Sequence, residues 1–241
     1  TELGLRTSAH IESTEGVEVG LKAGVDTIEH GAPLTDELLK LFKKNGLGNA
    51  SSLTCTLSPA LPFAVLSPEK THSTHVQKVN GRVVYEGVAT ATRQALANGI
   101  PVGLGTDSAC PFVTHYDMWR EVVYFQRHTG VTPEFALHTA TLKNAQLLGV
   151  ANETGSIETG KSADLIVLDT NPLDDLCALR NVEQVYMAGK PVKYKAKHLP
   201  KIDAELDGIM DGLDNDPFVS EWNIASEKKS LNPFAKRGTK E

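Results

Sequence analysis

The chain has 241 residues, 40% of them hydrophobic and 22% charged, with a formal net charge of −6. That balance belongs to a globular protein with a sizeable core. A mildly acidic chain without a clustered Lys/Arg face argues against a nucleic-acid partner, and no apolar run reaches the roughly 20 residues that cross a bilayer, so no membrane partner is expected.

Taken in order, short strands alternate with helices. Residues 7–10 read as a strand, and residues 14–23 carry Val17, Leu21 and Ala23 on one helical face before Gly24. A second strand, 25–29, ends at His30. Thr35 then caps a helix with Asp36 and Glu37 in its first turn and Lys43 and Lys44 in its last, the charge order a helix dipole favours. A third strand is expected within 51–57. Residues 59–80 form a long insertion with weak periodicity, either a solvated excursion or an active-site loop. A helix over 84–98 closes at Gly99, and a fourth strand, 102–104, runs into Asp107. The alternation implies a parallel sheet with right-handed crossovers.

Beyond Asp107 the pattern changes. Residues 117–128 form one helix, and Thr132-Pro133 opens another that runs to Gly149. Residues 163–169 and 182–187 read as β-strands joined by turns, a small β structure beside the α/β part. From 195 the chain is polar, with Asp207, Asp211, Asp214 and Asp216 near Gly208 and Gly212. The spacing lacks the twelfth-position glutamate of a calcium loop, and a solvated or partly disordered extension is expected. The expected divisions are therefore 1–150, 151–194 and 195–241.

Residues 155–162, from Gly155 through Gly160, Lys161 and Ser162, satisfy the phosphate-binding pattern G-x-x-x-x-G-K-[ST]. That motif works when a strand feeds a glycine loop that opens a helix. Here a helix precedes and a strand follows, so the glycines are assigned to turns. Cys55, Cys110 and Cys177 are widely spaced, with no C-x-x-C, so neither a disulfide framework nor a structural zinc site is indicated, and a reducing, cytoplasmic compartment is expected. The chain opens on Thr1 with a strand within ten residues, which reads as a chain cut mid-fold.

His10, His30 and Asp107 each stand where a strand gives way to a loop. In alternating barrels such positions converge on one face. Singly, a strand-end histidine is more often a core residue and an aspartate a cap. Together, imidazole and carboxylate are the donors that hold zinc and similar ions, and a hydrolytic site needs them with an open coordination position. Such an ion acidifies water and polarises a carbonyl, while an aspartate moves the proton to the leaving group.

The set of His10-Ile-Glu-Ser13, the run from Lys22 to Gly31, Gly105-Thr-Asp-Ser108, Thr141-Leu-Lys-Asn-Ala145 and the stretch 155–169 resembles the amidohydrolase superfamily. Within it, the resemblance is to imidazolonepropionase-like enzymes and metal-dependent Xaa-Pro or Xaa-Arg dipeptidases. It implies strands 5–8, the second half of a TIM barrel, followed by part of a small β-sandwich. It implies one or two divalent ions, zinc above all, with His10, His30 and Asp107 as ligands, Asp107 also as proton shuttle, and His115 near a small-molecule substrate. The family's strand 1 His-x-His and strand 4 lysine have no counterpart in this sequence. The implied activity is cleavage of a C–N bond in a cyclic amide or dipeptide, in a chain completed by a missing amino-terminal half or by a homo-oligomer. The competing expectation is a catalytically inactive remnant or interaction module. Half a barrel also exposes sheet edges, which predicts instability or aggregation.

Overall fold

The computed structural model describes residues 3–193 and 196–220. Four parallel strands, β1 (Ser8–Ile11), β2 (Thr27–His30), β3 (Ser52–Cys55) and β4 (Val102–Leu104), pair in sequence order. Between them lie α1 (Thr14–Ala23), α2 (Asp36–Lys43), the short α3 (Leu61–Val65) and α4 (Pro68–Thr71), and the long α5 (His75–Ala97). After β4 come α6 (Met118–Thr129), α7 (Pro133–His138), a π-helical turn over Thr139–Lys143 and α8 (Asn144–Leu148). Strands β5 (Leu165–Leu168), β6 (Val182–Met187) and β7 (Lys190–Pro191) form a separate antiparallel sheet, and α9 (Pro200–Gly212) follows.

Local chemistry sets the boundaries. Ser13 caps α1 through its side chain and Gly24 ends it in the left-handed region at φ 86°. Thr35 caps α2, as the charge order predicts. The 59–80 stretch is more ordered than its periodicity implies. A capping box between Thr74 and Gln77 starts α5 earlier than expected, and α3 packs on it where a Cβ on Gly81 would lie 2.6 Å from the Phe63 Cβ.

Strand alternation sorts the parallel sheet into two faces. Ile28, Leu53 and Cys55 point under the helices and join Val17, Leu21, Phe42, Tyr85, Val88 and Phe125 in one core. The opposite face is polar, with Ser8 donating to Glu29 at 2.5 Å and Thr27 bonded to Ser52 at 3.1 Å. Among the described residues, β1 and β4 each pair on one side only. The free edge of β4 is covered at one point: Asn144 accepts from the Leu104 N–H and donates to the Leu104 carbonyl, both at 2.9 Å. Gly103 makes room, because a Cβ there would lie 2.8 Å from the Asn144 Oδ1.

The expectation of a solvated extension from 195 is corrected over the described part. Leu206, Ile209, Met210 and Leu213, at i, i+3, i+4 and i+7, are buried. Two of the four aspartates that make the segment read as solvated face arginines instead: Asp207 accepts from Arg120 at 2.7 Å and from Arg180 at 2.9 Å, and Asp216 pairs with Arg82 at 2.8 Å. The remainder of that expectation, 221–241, lies outside the described residues. The phosphate-loop letters fall where their context placed them, in turns between α8 and β5, with Gly155 at φ 93°, Gly160 at φ 95° and Lys161 bonded to Ser156 and Glu158.

Candidate metal centre

The polar face meets the carboxyl ends of the strands at three side chains. His10 lies on β1, Glu12 one residue beyond its end on the same face, and His30 ends β2. Their ligating atoms all lie within 4.8 Å of one another. The His10 and His30 rings meet edge to face, centroids 4.7 Å apart at 78°.

The ladder alone does not produce this arrangement. His30 pairs with Ile11, which turns toward the helices, and a regular strand would send His30 the same way. Its backbone instead sits at φ 69°, in the left-handed region that a histidine rarely occupies, held by the Gly31 N–H donating to the Ile11 carbonyl at 2.9 Å. Strain of this kind gathers at functional sites. His30 is buried, and that burial, followed by the neighbouring His10, lowers its pKa from the ordinary imidazole value. Both effects favour neutral imidazole, the form that binds a metal.

Asp107 follows β4 and is also left-handed, at φ 53°. It lies close enough for its charge to act on His30, yet it is outside the trio, and its Oδ2 accepts from the Cys110 thiol at 3.2 Å. Burial and that bond raise the Cys110 pKa to about 11. His115 is exposed, with its ring 5.3 Å from that of Tyr116, and does not join the trio. Glu12 is the participant that sequence reasoning passed over, although its spacing of two from His10 at a strand end was a usable signal. Glu121 is fully buried on α6 and accepts from the Leu57 N–H at 2.7 Å, the Ser58 N–H at 2.8 Å and the Ser58 hydroxyl at 2.5 Å. It anchors the segment leaving β3.

Two imidazoles and a carboxylate are a donor set that suits zinc and similar divalent ions, so the residues fit such a group. The amidohydrolase family matches residues 1–192. The chain belongs to the amidohydrolase family. Solved structures superpose on it as well. A crystal structure of a candidate prolidase from Bifidobacterium longum superposes with a TM-score of 0.84 at 45% identity, covering 87% of this chain and 52% of that one. A Xaa-Pro dipeptidase with bound methionine in its active site superposes at 0.66 with 29% identity, covering 80% and 46%. The imidazolonepropionase of Streptococcus sanguinis is 28% identical over 201 residues, 79% of this chain and 41% of its own length. Ochratoxinase from Aspergillus niger is 27% identical over 190 residues, 77% and 38%. The chain thus spans about two fifths of the length of these curated relatives. Among its described residues, no helix is long and apolar enough to cross a membrane.

Proposed function

We propose that this chain carries one half of the catalytic centre of a metal-dependent amidohydrolase, one that cleaves a C–N bond in a dipeptide or cyclic amide. The observation that carries the reading is the meeting of His10 and His30 at adjoining strand ends, with His30 turned inward by a strained backbone. The relatives' names supply the substrate class: a prolidase candidate, a Xaa-Pro dipeptidase and an imidazolonepropionase. In this reading β1–β4 are strands 5–8 of a TIM barrel and β5–β7 are part of the flanking sandwich, with divisions at 150 and 194.

A zinc-like ion, when bound, supplies a Lewis acid for the scissile carbonyl and acidifies a nearby water. His10 and His30 hold it through neutral ring nitrogens. Asp107, for which the resemblance also implies a metal contact, takes a proton from water at a carboxylate oxygen and returns it to the departing nitrogen. The Cys110 thiol steadies that carboxylate by donating to Oδ2. His115 stands on the loop after β4, where a substrate group would pass. The remaining ligands come from outside the sequence given, from an amino-terminal half or a second subunit. Three free thiols, Cys55, Cys110 and Cys177, fit a reducing compartment such as the cytoplasm.

The test is hydrolysis of a panel of Xaa-Pro dipeptides and cyclic amides with added zinc, by this chain alone and by this chain mixed with the amino-terminal half of the Bifidobacterium longum protein. The expected result is turnover in the mixture, lost with a chelator and reduced at least about a hundredfold by Asp107→Asn, the lower range for losing a general acid–base. A mixture that assembles and holds metal yet turns over nothing in the panel would favour the inactive remnant.

A further inference from the structure

We propose that Glu12 is itself a metal ligand, so that His10, Glu12 and His30 form a three-donor site able to hold one zinc-like divalent cation with this chain's residues alone. This rests on the reading of a metal centre at His10 and His30, but it changes which carboxylate completes that centre and whether residues from outside are needed to load it.

Three observations carry it. The first is distance: with every pair of ligating atoms within 4.8 Å, some point lies within about 2.8 Å of all three donors. Zinc bonds to imidazole and carboxylate run at about 2.0–2.2 Å, so an inward shift of under about 1 Å per side chain closes the shell. The second is availability. None of the three side chains makes a hydrogen bond or ion pair among the described residues, although His30 is only 5% exposed. The ring nitrogens of His30 are not among the sealed-off polar atoms that lack a partner, so they stay open to an incoming ion. The third is placement. His10 and Glu12 are two residues apart on one face at the end of β1, and His30 pairs with Ile11 between them, its left-handed backbone bringing a ring nitrogen within 4.8 Å of a ligating atom of each. Asp107 is arranged differently, outside the trio and with its Oδ2 on the Cys110 thiol. In this chain the carboxylate that groups with the two histidines is Glu12, which leaves Asp107 for proton transfer.

The experiment uses the full chain, stripped with a chelator, dialysed, and titrated with zinc chloride by calorimetry. Cobalt(II) chloride is then substituted and its visible ligand-field absorption recorded. One ion per chain is expected. Glu12→Gln, which keeps the shape and removes the anionic donor, is expected to weaken zinc binding at least about tenfold and to change the cobalt spectrum. Glu12→Asp should recover part of the loss, and Asp107→Asn should leave affinity within about threefold. Because Glu12 is exposed, neither substitution there threatens the core, and circular dichroism verifies the fold. If Glu12→Gln binds as tightly as the parent while His10→Ala and His30→Ala do not, the Glu12 assignment falls and the metal centre stands. If Asp107→Asn costs as much as Glu12→Gln, the division of roles falls. If the parent binds no ion alone but does so once mixed with the amino-terminal half, the self-contained site falls and the split centre remains.

Discussion

At the scale of single residues, two buried titratable groups near the core oppose one another. His128 is fully buried, with Nε2 on the Tyr85 hydroxyl and Nδ1 on the Tyr124 carbonyl, both at 2.6 Å, and burial pushes its pKa down to about 4. Its folded value lies below its unfolded one of 6.5, so the folded protein binds fewer protons, and its contribution to stability, present above pH 6.5, is lost as pH falls toward 4. Glu121 works the other way. Burial raises its pKa to about 7 despite three donors that pull it down, so its contribution is present below 4.5 and lost as pH rises through 7. Each has a limiting slope of about 1.4 kcal/mol per pH unit, and where the two windows overlap, from 4.5 to 6.5, they cancel. Urea midpoints measured from pH 4 to 8 should therefore be nearly flat for the parent, rise with pH for Glu121→Gln, and fall with pH for His128→Gln. Parallel profiles for all three proteins would refute the opposition. Neither group announces itself in the sequence, because a Glu and a His on an amphipathic helix are ordinary until the neighbouring strand end buries them.

At the scale of elements, α9 shows how polar composition can hide a packed helix. Its apolar residues have helical spacing, but four aspartates over 207–216 make the segment read as solvated, and only the arginines on α6, on the 3₁₀ turn Leu176–Arg180 and on α5 turn two of them, Asp207 and Asp216, toward the protein. Leu206 is 3% exposed, and Leu206→Ala should cost about 2–4 kcal/mol in chemical denaturation. Asp207→Asn removes the charge shared by Arg120 and Arg180. Because Arg120 is buried and Asp207 partly exposed, a loss of about 1–3 kcal/mol is expected, most of it from leaving the guanidinium with Asp117 as its remaining carboxylate. A change below about 0.5 kcal/mol in both would mean that α9 is not part of the cooperative unit. The helices α1 and α2 were legible because their caps, Ser13 and Thr35, and their apolar spacing agree. The early start of α5 was missed because the weak 59–80 periodicity outweighed a local signal, Thr74 with Gln77 three residues on.

At the scale of the molecule, a four-stranded parallel sheet with a polar face and two edges unpaired among the described residues should not remain monomeric. Light scattering after gel filtration should show association that grows with concentration, and Asn144→Ala, which uncovers the β4 edge at Leu104, should increase it; a strictly monomeric variant would show that the edges are protected in another way. By itself the sequence determined the alternating rhythm, the helix caps, the family and the three strand-end polar residues His10, His30 and Asp107, because periodicity, capping and turn chemistry are local. Only the tertiary structure decided which of those polar groups meet. The left-handed turn at His30 and the thiol contact at Asp107 set side-chain direction at the strand ends, and that direction depends on backbone held by neighbouring strands and loops rather than on the residue's own place in the chain.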